Sequence, residues 1–313
     1  MYWVINVKDW KLLKSQVKNL RKYIFRGQSK NEWSLEPSLE RETKFLEKEN
    51  LYWQYYYESK TISRFKKHSK KYLTKIPSND DLFSWLSIMQ HHGTATRLLD
   101  FTSSLFIAAF FATRKQENSS AIWALNSTAL ALNGIDNIDN PTLVSESINN
   151  DNSVDYFFRK AVNLELSQNM ISFKNQRRKK TTKIKGVLIG AEPSFLNSRL
   201  SAQRGCFVCA TRLEFSFEET VVNYFENSIK GLNEECAYIK SISDINCEDL
   251  APVIIKFVIP KDIIPSIIKD LKSKNITEET LFPDIDGFAR SLNNIMQSDF
   301  LPSSRCSRDE IQK

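Results

Sequence analysis

One run constrains this chain more than any other. His91-His92-Gly93-Thr94-Ala95-Thr96-Arg97-Leu98-Leu99-Asp100-Phe101-Thr102-Ser103-Ser104 leads without a break into Leu105-Phe106-Ile107-Ala108-Ala109-Phe110-Phe111-Ala112. A surface loop is not followed by so apolar a segment, and a core strand does not carry His, Arg, Asp and a cluster of hydroxyls. Polar groups placed beside a core must be hydrogen-bonded or they cost free energy. The run therefore predicts a site at the edge of the core, with a strand around Leu98–Thr102 and a helix over Leu105–Arg114. A second such place is Tyr23-Ile24-Phe25-Arg26-Gly27-Gln28. Three large apolar residues favour a strand, and Arg26-Gly27 sets a cation beside a residue tolerant of unusual backbone angles.

The remaining pattern predicts an α+β protein. Apolar positions at helical spacing (Trp10, Leu12, Leu13, Val17, Leu20) suit an opening helix over 8–22. A mostly helical segment of about 36–90 follows, with Asn79-Asp80-Asp81 capping its last helix. Strands are expected over Ala121–Asn126, Lys185–Gly190, Gly205–Thr211 and Val253–Ile259, and a helix from Val154 to about Gln168. Closing helices are expected over Lys261–Lys274 and Glu278–Met296. The Asn/Asp-rich interval of about 133–153 reads as a polar loop. Neither an internal repeat nor a Gly/Pro/Ser-rich linker divides the 313 residues, so the expectation is a single domain over 1–313.

Charged residues interrupt every apolar stretch, which predicts no membrane span, and the N-terminus lacks a cleavage-site pattern; the cytoplasm is the expected compartment. Cys206 and Cys209 have C-x-x-C spacing but fall on an expected strand, which turns them to opposite faces and suits buried free thiols rather than a metal site. The net charge of +7 is partly local. Lys174, Arg177, Arg178, Lys179, Lys180, Lys183 and Lys185 form one polar stretch that reads either as a solvated loop or as a nucleic-acid contact. The chain has no phosphate loop of the G-x-x-x-x-G-K type, no G-x-G-x-x-G and no H-E-x-x-H, and with 8 glycines a phosphate site would have to rest on arginine.

Phe25-Arg26-Gly27, Trp33-Ser34-Leu35-Glu36-Pro37-Ser38-Leu39, the His91–Ser104 run, Leu200-Ser201-Ala202-Gln203-Arg204-Gly205-Cys206-Phe207 and Leu281-Phe282-Pro283-Asp284-Ile285-Asp286-Gly287 together resemble the FRG domain family. The chain departs from that pattern with Ala95 and Leu105 where proline is expected, and with Phe101 where tryptophan is common. The order Arg26, then Thr102-Ser103-Ser104 followed by Ala108-Ala109-Phe110-Phe111-Ala112, then Gln203, also resembles the layout of the ADP-ribosyltransferase fold.

That second resemblance implies a mixed central sheet with a split β core and with N- and C-terminal helices packed around it. It further implies NAD as substrate and cleavage of the nicotinamide–ribose bond, a glycosyl transfer. The catalytic set would be Arg26, His92, Asp100 and Gln203, with Arg26, Gly27, Gln28, Arg97, Thr102, Ser103 and Ser104 binding the dinucleotide. A guanidinium grips a diphosphate through paired charge-assisted bonds, and an electron-rich group must face the developing oxocarbenium charge. Gln203 is neutral where a transferase offers a carboxylate; Asp100 is the candidate substitute, with His92 as its acid/base partner. The resemblance implies a bacterial or phage setting and a role as toxin or phage-defence effector. A non-catalytic nucleotide sensor and a nucleic-acid-binding protein are the alternatives. Structural readings stand beside these: Arg26 pairing with Asp100, Thr102 or Ser103 capping the next helix, and Gln203 satisfying a strand edge.

Overall fold

The computed structural model describes residues 2–18, 20, 22–45, 52–114, 118–127, 130, 163, 166–167, 188–191, 198–213, 215–222 and 254–299. In chain order the elements are β1 (Trp3–Asn6), α1 (Trp10–Val17), β2 (Tyr23–Gln28), α2 (Ser38–Glu42), α3 (Tyr52–Ser69), α4 (Leu82–His91), β3 (Leu98–Thr102), α5 (Leu105–Thr113) and β4 (Ser120–Asn126). They continue with β5 (Leu188–Ala191), α6 (Ser198–Ala202), β6 (Gly205–Ala210), β7 (Ile254–Ile259), α7 (Ile264–Ser273), α8 (Glu278–Leu281) and α9 (Ile285–Asp299). The fold class is α+β, as the sequence predicts.

Among the described residues the strands form one seven-stranded sheet in the order β1-β7-β4-β2-β3-β6-β5. The β1–β7 pair is parallel and every other pair is antiparallel. Alternation along the strands assigns the two faces. Trp123, Leu125 and Ile254 share a core with Ile62 of α3 and with Phe83, Leu86 and Met89 of α4. Phe25, Ile122, Ala124, Ile255 and Phe257 pack instead against α1, α5 and α7. The sheet is thus the middle of three layers.

Helix α5 is apolar all round because it is covered on two sides. Ala108, Ala109 and Ala112 lie on the sheet, while Ile107 meets Leu281 and Phe282. Its close approach to β2 is the task of Gly27. A Cβ there would stand 1.9 Å from the Ala108 carbonyl oxygen and 2.6 Å from the Ala112 nitrogen, so no larger residue fits without moving the helix.

Several boundaries differ from expectation. The expected helix Glu278–Met296 is two helices. Pro283 supplies no amide proton to continue the first, and Asp284 restarts the chain by accepting from the Gly287 amide at 2.8 Å. β1 is an element the sequence pattern does not reveal, being four residues long and half exposed at the sheet edge. Helix α4 begins as expected, with the Asp81 carboxylate accepting from Ser84 N at 3.1 Å. Asn163, Leu166 and Ser167 are helical, inside the helix expected from Val154; the polar loop and the basic stretch from Lys174 to Lys185 lie outside the described residues. No helix among the described residues is long and apolar enough to cross a membrane. Cys206 and Cys209 are both free thiols on β6, but only Cys209 is buried as expected, Cys206 being half-buried; burial pushes the Cys209 thiol up to about 12, which leaves it protonated and unreactive.

Candidate functional site

The sheet all but parts between β2 and β3. These antiparallel strands share one register pair, Phe25 with Thr102, and beyond it Arg26–Gln28 and Leu98–Phe101 diverge. A strand released from its neighbour leaves backbone carbonyls that must be paired otherwise. Two side chains take those on β3. Arg26 Nη1 donates to the Asp100 carbonyl at 2.8 Å, and Gln90 Nε2 donates to the Leu98 carbonyl at 3.3 Å. The opening is a cleft of about 470 Å³, within the range usual for small-molecule sites.

Four arginines line it, Arg26, Arg41, Arg114 and Arg199, with His91, and Asp100 is the one carboxylate among the described lining residues. Arg26 lies on the α4 side of β2, opposite Trp123 of β4. Its Nη1 stands 3.7 Å from Asp100 Oδ2, so the pairing that the sequence allowed as a structural reading is present. Burial holds the Arg26 guanidinium below its ordinary pKa; Asp100 opposes that shift and Arg41 adds to it by repulsion. Arg26 Nε is buried with no hydrogen-bond partner. An unmade buried donor costs roughly 1–3 kcal/mol, so Arg26 is a poor stabilising device where it stands.

Asp100 is held from a second side. Gln90 Nε2 donates to its Oδ2 at 3.0 Å, and the Thr96 hydroxyl donates to Gln90 Oε1, which fixes the amide so that its NH₂ faces the carboxylate. The Asp100 side chain is 60% exposed and is open to a ligand.

Another part of the cleft is built around Phe282. The guanidinium groups of Arg114, Arg199 and Arg290 lie 5.0, 5.1 and 5.0 Å from its ring centre, and Phe111 meets it edge-on at 6.1 Å. Two carboxylates hold these cations. Arg114 and Arg290 both pair with Glu278, and Arg199 Nη2 donates to Asp284 Oδ2 at 2.7 Å. His91 adjoins this group: burial first, then His92 and Arg199, hold its imidazole below the ordinary 6.5, against the pull of Asp284.

Of the residues expected from the sequence, Arg26, Gly27, Asp100, Thr102 and Gln203 do line this cleft. Thr102 donates from its hydroxyl to the Gln203 carbonyl at 2.7 Å, and Gln203 Nε2 donates to the Leu281 carbonyl at 3.1 Å, so the two meet across the β3–β6 end. The others fall elsewhere. Arg97 is fully buried, its Nε donating to Glu58 Oε1 at 2.8 Å and its Nη1 to the Thr211 carbonyl at 2.8 Å, which makes it a core residue. Gln28 is tied between the Trp123 indole N–H and the Ser34 carbonyl. Ser104 caps α5 by accepting from Ile107 N, the task the sequence reading allowed for Thr102 or Ser103. Ser103 is exposed beside it. His92 is the exposed C-cap of α4. The two histidines end α4, and His91 rather than His92 faces the cleft.

The sequence reading missed Gln90, Arg41, Arg114 and Arg199. One signal for the last was available: Arg199 precedes Gln203 by four residues, a helical spacing, and the Gln203 amide just past α6 donates to the Arg199 carbonyl at 3.0 Å.

No curated protein and no solved structure matches the chain. The family model described as the FRG domain matches residues 21–121, about a third of the sequence, and that span holds Arg26, Arg41, Gln90, His91, Asp100 and Arg114 but not Arg199, Gln203 or Phe282. The strand that opens the cleft, the carboxylate facing it and most of its cations therefore belong to the one segment that is similar to the FRG domain.

Proposed function

We propose that the cleft binds a dinucleotide of the NAD class and cleaves its nicotinamide–ribose bond. The observation that carries this reading is the lining: among the described residues four guanidinium groups and one carboxylate converge on one cleft where β2 and β3 diverge. Guanidinium groups suit a diphosphate, through charge-assisted bonds that ammonium groups match less well. The carboxylate suits the ribose carbon. When the C1′–N bond breaks, its electron pair leaves with the nicotinamide, which discharges the pyridinium, and positive charge develops on C1′ and the ring oxygen. Asp100, held by Gln90, would face that charge until a nucleophile closes on C1′. The acceptor is water or another molecule; a bacterial toxin or phage-defence setting is the one the ADP-ribosyltransferase resemblance suggests.

One observation favours a sensor that binds without cleaving. Asp100 is already engaged by Arg26 and Gln90, and Gln203 adds no negative charge. The two readings share a binding test and part at the chemical step.

Arg26→Met is the binding test. Losing hydrogen bonds to a charged group costs about 1.5–3 kcal/mol, so ADP-ribose affinity by calorimetry should fall roughly 10- to 150-fold. Thermal unfolding should move by no more than about 1 kcal/mol, or roughly 2–4 °C, because the variant removes an unmade buried donor along with one made bond. Unchanged affinity would remove phosphate binding from Arg26.

A pH series tests His91. An imidazole with a depressed folded pKa takes up its proton more readily when unfolded, so its contribution to stability is complete above about 6.5 and is lost as pH falls through the folded pKa. A bound anion favours the protonated ring. ADP-ribose affinity is therefore expected to rise between about pH 7.5 and 5.5 while the free protein becomes less stable, and His91→Asn should flatten both trends. Wild-type affinity that ignores pH would place the anion away from His91.

A further inference from the structure

Helix α3 divides its residues by charge as well as by polarity. Tyr55, Glu58 and Ile62 are buried and Phe65 packs beside them against the core. The opposite face carries Trp53, Tyr56 and Tyr57, which are 41, 41 and 40% exposed, and then Lys60, Arg64 and Lys67, all exposed, with exposed Lys71 just past the helix. At 100° per residue the six on the helix fall within about a third of its circumference, so they form one stripe, with Lys71 beyond its C-terminal end. Its rings and cations touch: Trp53 meets Tyr56 edge-on at 5.8 Å, and Lys60 Nζ lies 5.4 Å from the centre of the Tyr56 ring.

A solvated helix face usually mixes acids with bases. Between Trp53 and Ile76 the chain has Lys60, Arg64, Lys66, Lys67, Lys70, Lys71 and Lys75 against one acid. That acid, Glu58, is buried against Arg97. The positive charge of this face is thus not offset within its own helix.

We propose that the outer face of α3 binds single-stranded nucleic acid. Bases would stack on Trp53, Tyr56 and Tyr57, and the backbone would follow Lys60, Arg64 and Lys67, which succeed one another at about one helical turn, near 5 Å, and then Lys71. Stacking needs unpaired bases, which sets single strands above duplex. An anionic membrane would need an apolar helix face to enter the lipid boundary, and the apolar face of α3 is turned into the core. The proposal stands on α3 alone and holds whether or not the cleft cleaves a dinucleotide.

The test is fluorescence polarisation of the full chain with labelled oligo(dT) and oligo(U) of about 16 nucleotides, across a salt series. Replacing Lys60, Arg64, Lys67 and Lys71 together by Gln should lower the steepness of log K against log salt by about 2 to 3, at roughly 0.7 per phosphate contact. Trp53→Ala should weaken binding about 5- to 150-fold with little change in that slope. Exchanging the same four positions among Lys and Arg should preserve binding. All four are exposed, so circular dichroism should report an unchanged fold; should Trp53→Ala unfold, the four-Gln variant carries the test by itself. Equal binding by wild type and the four-Gln variant overturns the proposal. So does tighter binding to a duplex of the same length, or binding confined to phosphatidylserine vesicles.

Discussion

Glu58→Ala is expected to lower the unfolding temperature by about 6–20 °C. The loss is about 3–5 kcal/mol, because the substitution strands a buried cation, and a chain of this size loses roughly 2–4 °C per kcal/mol. Among the described residues Arg97 pairs with no other acid. Its side chain is 1% exposed and that of Glu58 is 2% exposed, and its remaining bonds go to the carbonyls of Ala210 and Thr211. Glu58→Met with Arg97→Met should recover part of the loss, since apolar groups of similar volume often replace a buried pair at little cost. The recovery stops short of wild type because those two carbonyls then lose their donor. Thermal and urea unfolding followed by circular dichroism read the three proteins together. If Glu58→Ala unfolds at the wild-type temperature, Arg97 is not a core anchor and returns to the set of cleft residues.

Gly27→Ala is expected to cost about 3 kcal/mol or more, at the upper end of overpacking effects. The added methyl group meets the Ala108 carbonyl oxygen and the Ala112 nitrogen, and backbone atoms of a packed helix cannot turn aside as a side-chain tip can. Helix α5 must move off β2, which displaces Arg26 on the neighbouring position and Arg114 at the helix end. The variant should therefore lose stability and ligand affinity together, whereas Arg26→Met loses affinity nearly alone. A stable Gly27→Ala protein would show that α5 is free to shift, and the packing account of the Arg-Gly pair would fail.

How far the sequence revealed these features follows from how local each one is. Strands β2, β4 and β7 were legible because their apolar runs are bounded by turn residues, and α4 because Asp81 caps it. Strand β1 was not, since its place depends on Trp3–Asn6 pairing with Ile255–Val258 far along the chain. Within the site, Arg26, Asp100, Thr102 and Gln203 stood out as polar residues beside apolar strands. Arg97 stood out for the same reason and was misplaced, because its partner lies 39 residues away on α3. Arg41, Arg114 and Arg199 each look like an ordinary arginine at or near a helix end. Only the fold brings them to one cleft, and no local pattern records that convergence.

Nicotinamide release from NAD by wild type and by Asp100→Asn, with cell lysate as a source of acceptors, tests the central claim most directly. Wild type is expected to release nicotinamide and Asp100→Asn to lose about 100-fold or more, since removing a group that stabilises transition-state charge typically costs that much, with ADP-ribose binding retained. Release that is equal in the two proteins, or absent from wild type that binds ADP-ribose, would contradict cleavage at Asp100, and the second outcome would leave the cleft as a nucleotide sensor.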